Sequence, residues 1–145
     1  MKGMNKMTAL KRALAVAAVL AMASTASAKK PSDSGVSGDL SPDRTSATVT
    51  VSATCDSATQ GTTGTLSVYI FQSAGRLINI GIGSGTITCN NPATSQEQEI
   101  TVTAVDGLAF RPGPATLLIR LTTTNTIPNA PPTVSESGST INLHP

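Results

Sequence analysis

Apolar residues alternate with polar, mostly hydroxyl-bearing ones along much of the chain beyond residue 46. Ala47, Val49, Val51, Ala53 and Cys55 fall on one side, with Thr48, Thr50, Ser52 and Thr54 on the other. This two-residue period is that of a strand with one buried face. It returns at 65–72, where Leu66, Val68 and Ile70 oppose Ser67, Tyr69 and Phe71. At 78–83, Ile78, Ile80 and Ile82 share a face opposite Asn79, Gly81 and Gly83, and the glycines at 83 and 85 then permit a bulge or bend. A short strand follows with Ile87 and Cys89 on one side. Ile100, Val102 and Ala104 alternate with Thr101 and Thr103, and the stretch 115–122 sets Ala115, Leu117, Ile119 and Leu121 against Thr116, Leu118, Arg120 and Thr122. Ile141 and Leu143 allow one short terminal strand. Ser73-Ala74-Gly75, Asn90-Asn91-Pro92 and Asp106-Gly107 supply the turns. Six or seven short strands with no helical period between them predict a sandwich or a small barrel.

The N-terminus follows a different rule. Lys2, Lys6, Lys11 and Arg12 precede an apolar run over 13–23, and small residues follow as far as Ala26-Ser27-Ala28. This is the order of a secretory signal peptide, with cleavage expected between Ala28 and Lys29. The run is shorter than the roughly 20 residues of a permanent membrane span. No twin arginine precedes it and no cysteine closely follows it, so the general secretory route is expected, with a periplasmic or extracellular destination. The expected organisation is a signal peptide at 1–28, a flexible lead-in at 29–46, a β-sandwich domain at 47–123, and a Thr/Pro/Ser-rich tail at 124–145.

Cleavage changes the charge. The whole chain carries ten basic and eight acidic residues. Four of the basic ones lie in the first 12 positions, so the remainder has six against eight, a net −2. The basic character therefore belongs to the targeting segment and gives no support to a nucleic-acid or anionic-membrane partner. The only cysteines, Cys55 and Cys89, have inward phase at strand ends. In an oxidising compartment an even count favours a bridge between them.

Several local motifs carry a resemblance: Thr54-Cys55-Asp56 closing a strand, Gln72 with Gly75-Arg76 at the next turn, Thr88-Cys89, and Phe110-Arg111-Pro112-Gly113-Pro114-Ala115 opening the last clear strand. On these residues the segment 47–122 resembles the small immunoglobulin-like domains of exported bacterial proteins. The resemblance implies an immunoglobulin-like antiparallel β-sandwich with one disulfide. It departs from antibody domains in lacking a tryptophan to pack on the bridge.

Candidate chemistry is sparse. The single histidine, His144, is the penultimate residue, and no Gly-x-Ser-x-Gly elbow or phosphate-binding loop is present. Glu97 and Glu99 share one face of a strand and read as a solvated edge; Asp56 and Asp106 read as turn acceptors. The expectation is a non-enzymatic structural or protein-interaction module with no cofactor, no metal and an unidentified protein or cell-surface partner. The alternative is a small-ligand or glycan-binding accessory domain. If Leu66, Val68 and Ile70 face the core, Tyr69 and Phe71 face away from it. With Arg76 in the adjacent turn, they form the candidate contact patch.

Overall fold

The computed structural model describes residues 32–33 and 37–145. The expected signal peptide and the Ala28–Lys29 cleavage point lie outside the described residues. The elements are β1 (Ser32–Asp33), β2 (Ser37–Leu40), β3 (Ser46–Ala53), β4 (Thr63–Ala74), β5 (Leu77–Thr88), β6 (Gln96–Ala104), β7 (Gly113–Thr123) and β8 (Thr133–His144). They form one sheet in the order β1-β3-β2-β8-β7-β4-β5-β6, and β6 returns to pair with β3. The core inside the ring is built from Val49, Val51, Leu66, Val68, Ile70, Ile100, Val102, Leu117, Ile119 and Leu121, all in the phase that the alternation predicts, together with Phe110.

The fold is all-β, but the expected immunoglobulin-like two-sheet sandwich is overturned: strands β2 to β8 close into a seven-stranded barrel. Closure rests on three short ladders, two of them made by β2. On one side β2 pairs antiparallel with β3, at Asp39↔Thr48 and Leu40↔Ala47, and parallel with β8 from Ser37↔Asn142 to Asp39↔His144. On the other, β5 meets β6 at Gly81↔Ala104 and Ile82↔Thr103. Glycine makes this second approach feasible. A Cβ on Gly83 would lie 2.5 Å from the Thr101 carbonyl oxygen, and one on Gly81 would lie 2.6 Å from the Phe110 ring and 2.7 Å from Val102.

A backbone oxygen held in a ladder cannot move aside as a flexible side chain can. Gly83→Ala is therefore expected to destabilise the protein by roughly 1–3 kcal/mol, whereas Gly75→Ala, with open space around its Cβ but a positive φ of 66°, should lose only about 1 kcal/mol. Thermal melts of the two variants check the order. Equal losses would mean that the β5–β6 approach is not tight.

Two further differences from the sequence reading share one cause. β5 runs unbroken through Gly83-Ser84-Gly85, in continuous register with β4 from Thr63↔Thr88 to Ala74↔Leu77, so the glycines mark no bulge between separate strands. The stretch 124–145 supplies the twelve-residue strand β8, which pairs with β7 along its length. In β8 only Ile141 and Leu143 are buried; residues 133–140 are mostly Ser, Thr and Gly, with Val134 and Glu136 exposed, and lack the alternation that marks a strand. Likewise β2, within the expected lead-in, buries only Gly38 and Leu40.

The loops around the barrel are tied by side chains that stand in for backbone. Gln72 Nε2 donates to the Arg111 carbonyl oxygen at 2.7 Å, and the Arg111 N–H donates back to Gln72 Oε1 at 2.8 Å. Asn79, the register partner of Gln72, donates through Nδ2 to the Leu108 carbonyl oxygen at 2.9 Å. In the β2–β3 turn the Ser41 hydroxyl and then the Thr45 N–H donate to Asp43 Oδ1, holding its carboxyl below the ordinary range.

Candidate functional site

The feature that sets this barrel apart from an ordinary polar-coated one is the outer face of β4 and β5. On β4 the alternation sends Leu66, Val68 and Ile70 inward and leaves Tyr69 and Phe71 half-buried on the outside. Their rings lie 6.4 Å apart and nearly parallel, with an interplanar angle of 18°. On β5 the buried positions are Asn79, Gly81, Gly83 and, near the strand's end, Ile87, so Ile78, Ile80 and Ile82 turn outward. Ile78 is 60% exposed and Ile82 47%. The reason is steric: Phe110 and Val102 already fill the space beneath Gly81, leaving no room inside for an isoleucine row.

Register then assembles the face. Tyr69 stands between Ile82 on β5 and Leu118 on β7, and Phe71 between Ile80 and Thr116. Val105, whose N–H donates to the Ile80 carbonyl oxygen at 2.8 Å, extends the apolar surface past the end of β6. Of the expected patch, the structure brings Tyr69 and Phe71 together and puts Arg76 at the hairpin tip, beyond the Ser73↔Ile78 pair. The outward isoleucines were not anticipated. The signal for them was the period-two series Asn79, Gly81, Gly83, Gly85, a face with almost no side chains that suits close packing against a neighbour.

Below Phe71 the same outer surface opens into a shallow cleft of about 370 Å³, lined by Phe71, Ser73, Arg111, Pro114, Thr116 and Thr140 among others. The one ion pair among the described residues is Arg120–Glu136, at 2.6 Å and exposed on both sides. A pair of this kind contributes at most about 1 kcal/mol. Arg111, which lines the cleft, has no carboxylate partner among the described residues.

Elsewhere titratable groups are dispersed. Glu97 and Glu99 stand exposed on β6 opposite Ser52 and Thr50, and His144 is exposed at the end of β8. Among the described residues no group of three His, Cys, Asp or Glu is arranged to hold a metal, and no helix is long and apolar enough to cross a membrane. Asp56 accepts from the Ala58 N–H at 2.9 Å, as a turn residue. Cys55 and Cys89 are bonded to each other, both buried, at the ends of β3 and β5. A structural disulfide of this kind points to an oxidising, exported environment. No protein-family model, curated protein or solved structure matches the chain.

Proposed function

We propose that this protein is an exported, non-enzymatic interaction module that presents the outer face of β4 and β5 to a protein or cell-surface partner. The observation that carries this reading is the contiguous row of Leu118, Tyr69 and Ile82 beside Phe71 and Ile80, on a surface otherwise rich in Ser and Thr. Apolar surface left in water costs about 25 cal/mol per Å², and a contiguous patch of it on a small exported domain is a recurrent mark of a contact site. Export by the general secretory route, with residence in a periplasm or outside the cell, fits the basic and apolar N-terminal pattern and the disulfide.

In-cell photo-crosslinking tests the reading. A photoreactive residue at position 82 is expected to give a discrete covalent adduct, while the same residue at position 50, outward on β3, gives none. Adduct-free protein at 82, or equal adducts at both positions, would count against the contact face. Ile82→Ser should leave stability within about 0.5 kcal/mol of the parent while abolishing the interaction. Phe71→Ser should lose about 1 kcal/mol, since the ring is half-buried and stacks on Tyr69. A loss of 3 kcal/mol or more, as for a core phenylalanine, would remove Phe71 from the contact surface.

A further inference from the structure

We infer that the cleft beside Phe71 is a binding site for a sugar residue that carries a carboxylate, of the uronic-acid type. The volume, about 370 Å³, lies at the small end of the roughly 300–1,000 Å³ that ligand clefts span and suits a single ring-sized unit. Its chemistry is mixed in the way such a ligand requires. Phe71 supplies an apolar wall for the C–H face of a pyranose. Ser73, Thr116 and Thr140 supply hydroxyls that both donate and accept, as the sugar's own hydroxyls do. Arg111 supplies one planar cation, whose fork matches a carboxylate bidentately.

The arginine is also pre-positioned. Its peptide group is bonded in both directions to the Gln72 side chain, which is only 7% exposed. Pro112 and Pro114 fix φ on either side of Gly113, itself at a positive φ of 127°. The root of the guanidinium thus has little freedom to lose on binding, which favours affinity.

Other occupants fit less well. An extended peptide needs unpaired backbone groups to bond to, but here Phe71, Thr116 and Thr140 lie in neighbouring, mutually paired strands. A phosphate favours several cations or a nest of N–H groups, and the cleft contains one guanidinium. The two sites share Phe71, but Arg111 lies outside the contact face and Ile82 lies outside the cleft, so substitutions at those two positions separate them.

The test is a titration of the isotopically labelled, disulfide-bonded protein with galacturonic acid, glucuronic acid, a galacturonate trisaccharide, galactose and acetate, followed by amide chemical shifts. Expected are saturable shifts at residues 71, 73, 111, 116 and 140. Either uronate should bind at least fivefold tighter than galactose, and acetate should bind far more weakly than either. Arg111→Gln should weaken uronate binding at least tenfold, and Ile82→Ser should leave it unchanged. No saturable shift at these positions, equal affinity for galactose and the uronates, or acetate matching the uronates would each overturn the inference. If Arg111→Gln does not fold, the comparison of uronate, galactose and acetate on the parent protein still decides it. Loss of the crosslink at position 82 with uronate binding intact would sink the contact face alone.

Discussion

Phe110→Ala is expected to destabilise the protein by about 3–5 kcal/mol, a large part of what a domain of this size has to spare. Phe110 is fully buried and is the only aromatic residue in the core. Its ring fills the space beneath Gly81, and its N–H donates to the Arg44 carbonyl oxygen at 2.7 Å, so it plugs the barrel where β5 meets β6. Truncation leaves a cavity at one of the short ladders that close the ring, the one between β5 and β6. Denaturant unfolding should show a lower midpoint with an unchanged slope.

A second substitution adds specificity to the test. Gly81→Ala alone is expected to be harmful, because its Cβ would meet the ring at 2.6 Å and Val102 at 2.7 Å; in the Phe110→Ala background only the Val102 contact remains, so the two losses should be less than additive. Additive losses, or a cost below about 1 kcal/mol for Phe110→Ala, would show that the ring does not hold this corner.

Breaking the Cys55–Cys89 bond ranks next. The cysteines are 34 residues apart, and on the chain-entropy argument a loop of that length contributes about 3–4 kcal/mol. The bond joins the ends of β3 and β5, where local pairing is thin: the Asn90 N–H donates to the Cys55 carbonyl oxygen at 3.2 Å and the Ser57 N–H to the Asn90 carbonyl oxygen at 3.1 Å. Both sulfurs are buried, so reduction should be slow in the folded state and complete only after unfolding. Calorimetry of reduced against oxidised protein should show the melting temperature lowered by about 10–20 °C. Two thiols titrating readily in folded, air-purified protein would sink the assignment.

How much of this was legible in the chain differs by element. For β3, β4, β6 and β7 the inward set could be read directly, because a strong apolar alternation leaves one face to bury. The Cys55–Cys89 pairing followed from the same phase and from there being no other cysteine. Tyr69 and Phe71 were legible as outward by elimination. Of β8 only the end carrying Ile141 and Leu143 was legible, and β2 was not, since stretches of small and polar residues gain their order from the neighbours they pair with.

Alternation by itself determined that each strand has two faces, and where one face was apolar and the other polar it determined which was buried. Over 78–83 of β5 both faces differed from that pattern: isoleucines on one, glycines and an asparagine on the other. Only the tertiary structure decided between them, because the space under Gly81 is taken by Phe110, a residue 29 positions further on, and the backbone of β5 must lie against β6. That one non-local packing choice turned Ile78, Ile80 and Ile82 outward beside Tyr69 and Phe71, and it helped close a barrel where local patterning left sandwich and barrel open and the family resemblance had implied two sheets. A period of two marks the faces of a strand, whereas which face is inside depends on volume supplied from elsewhere in the chain.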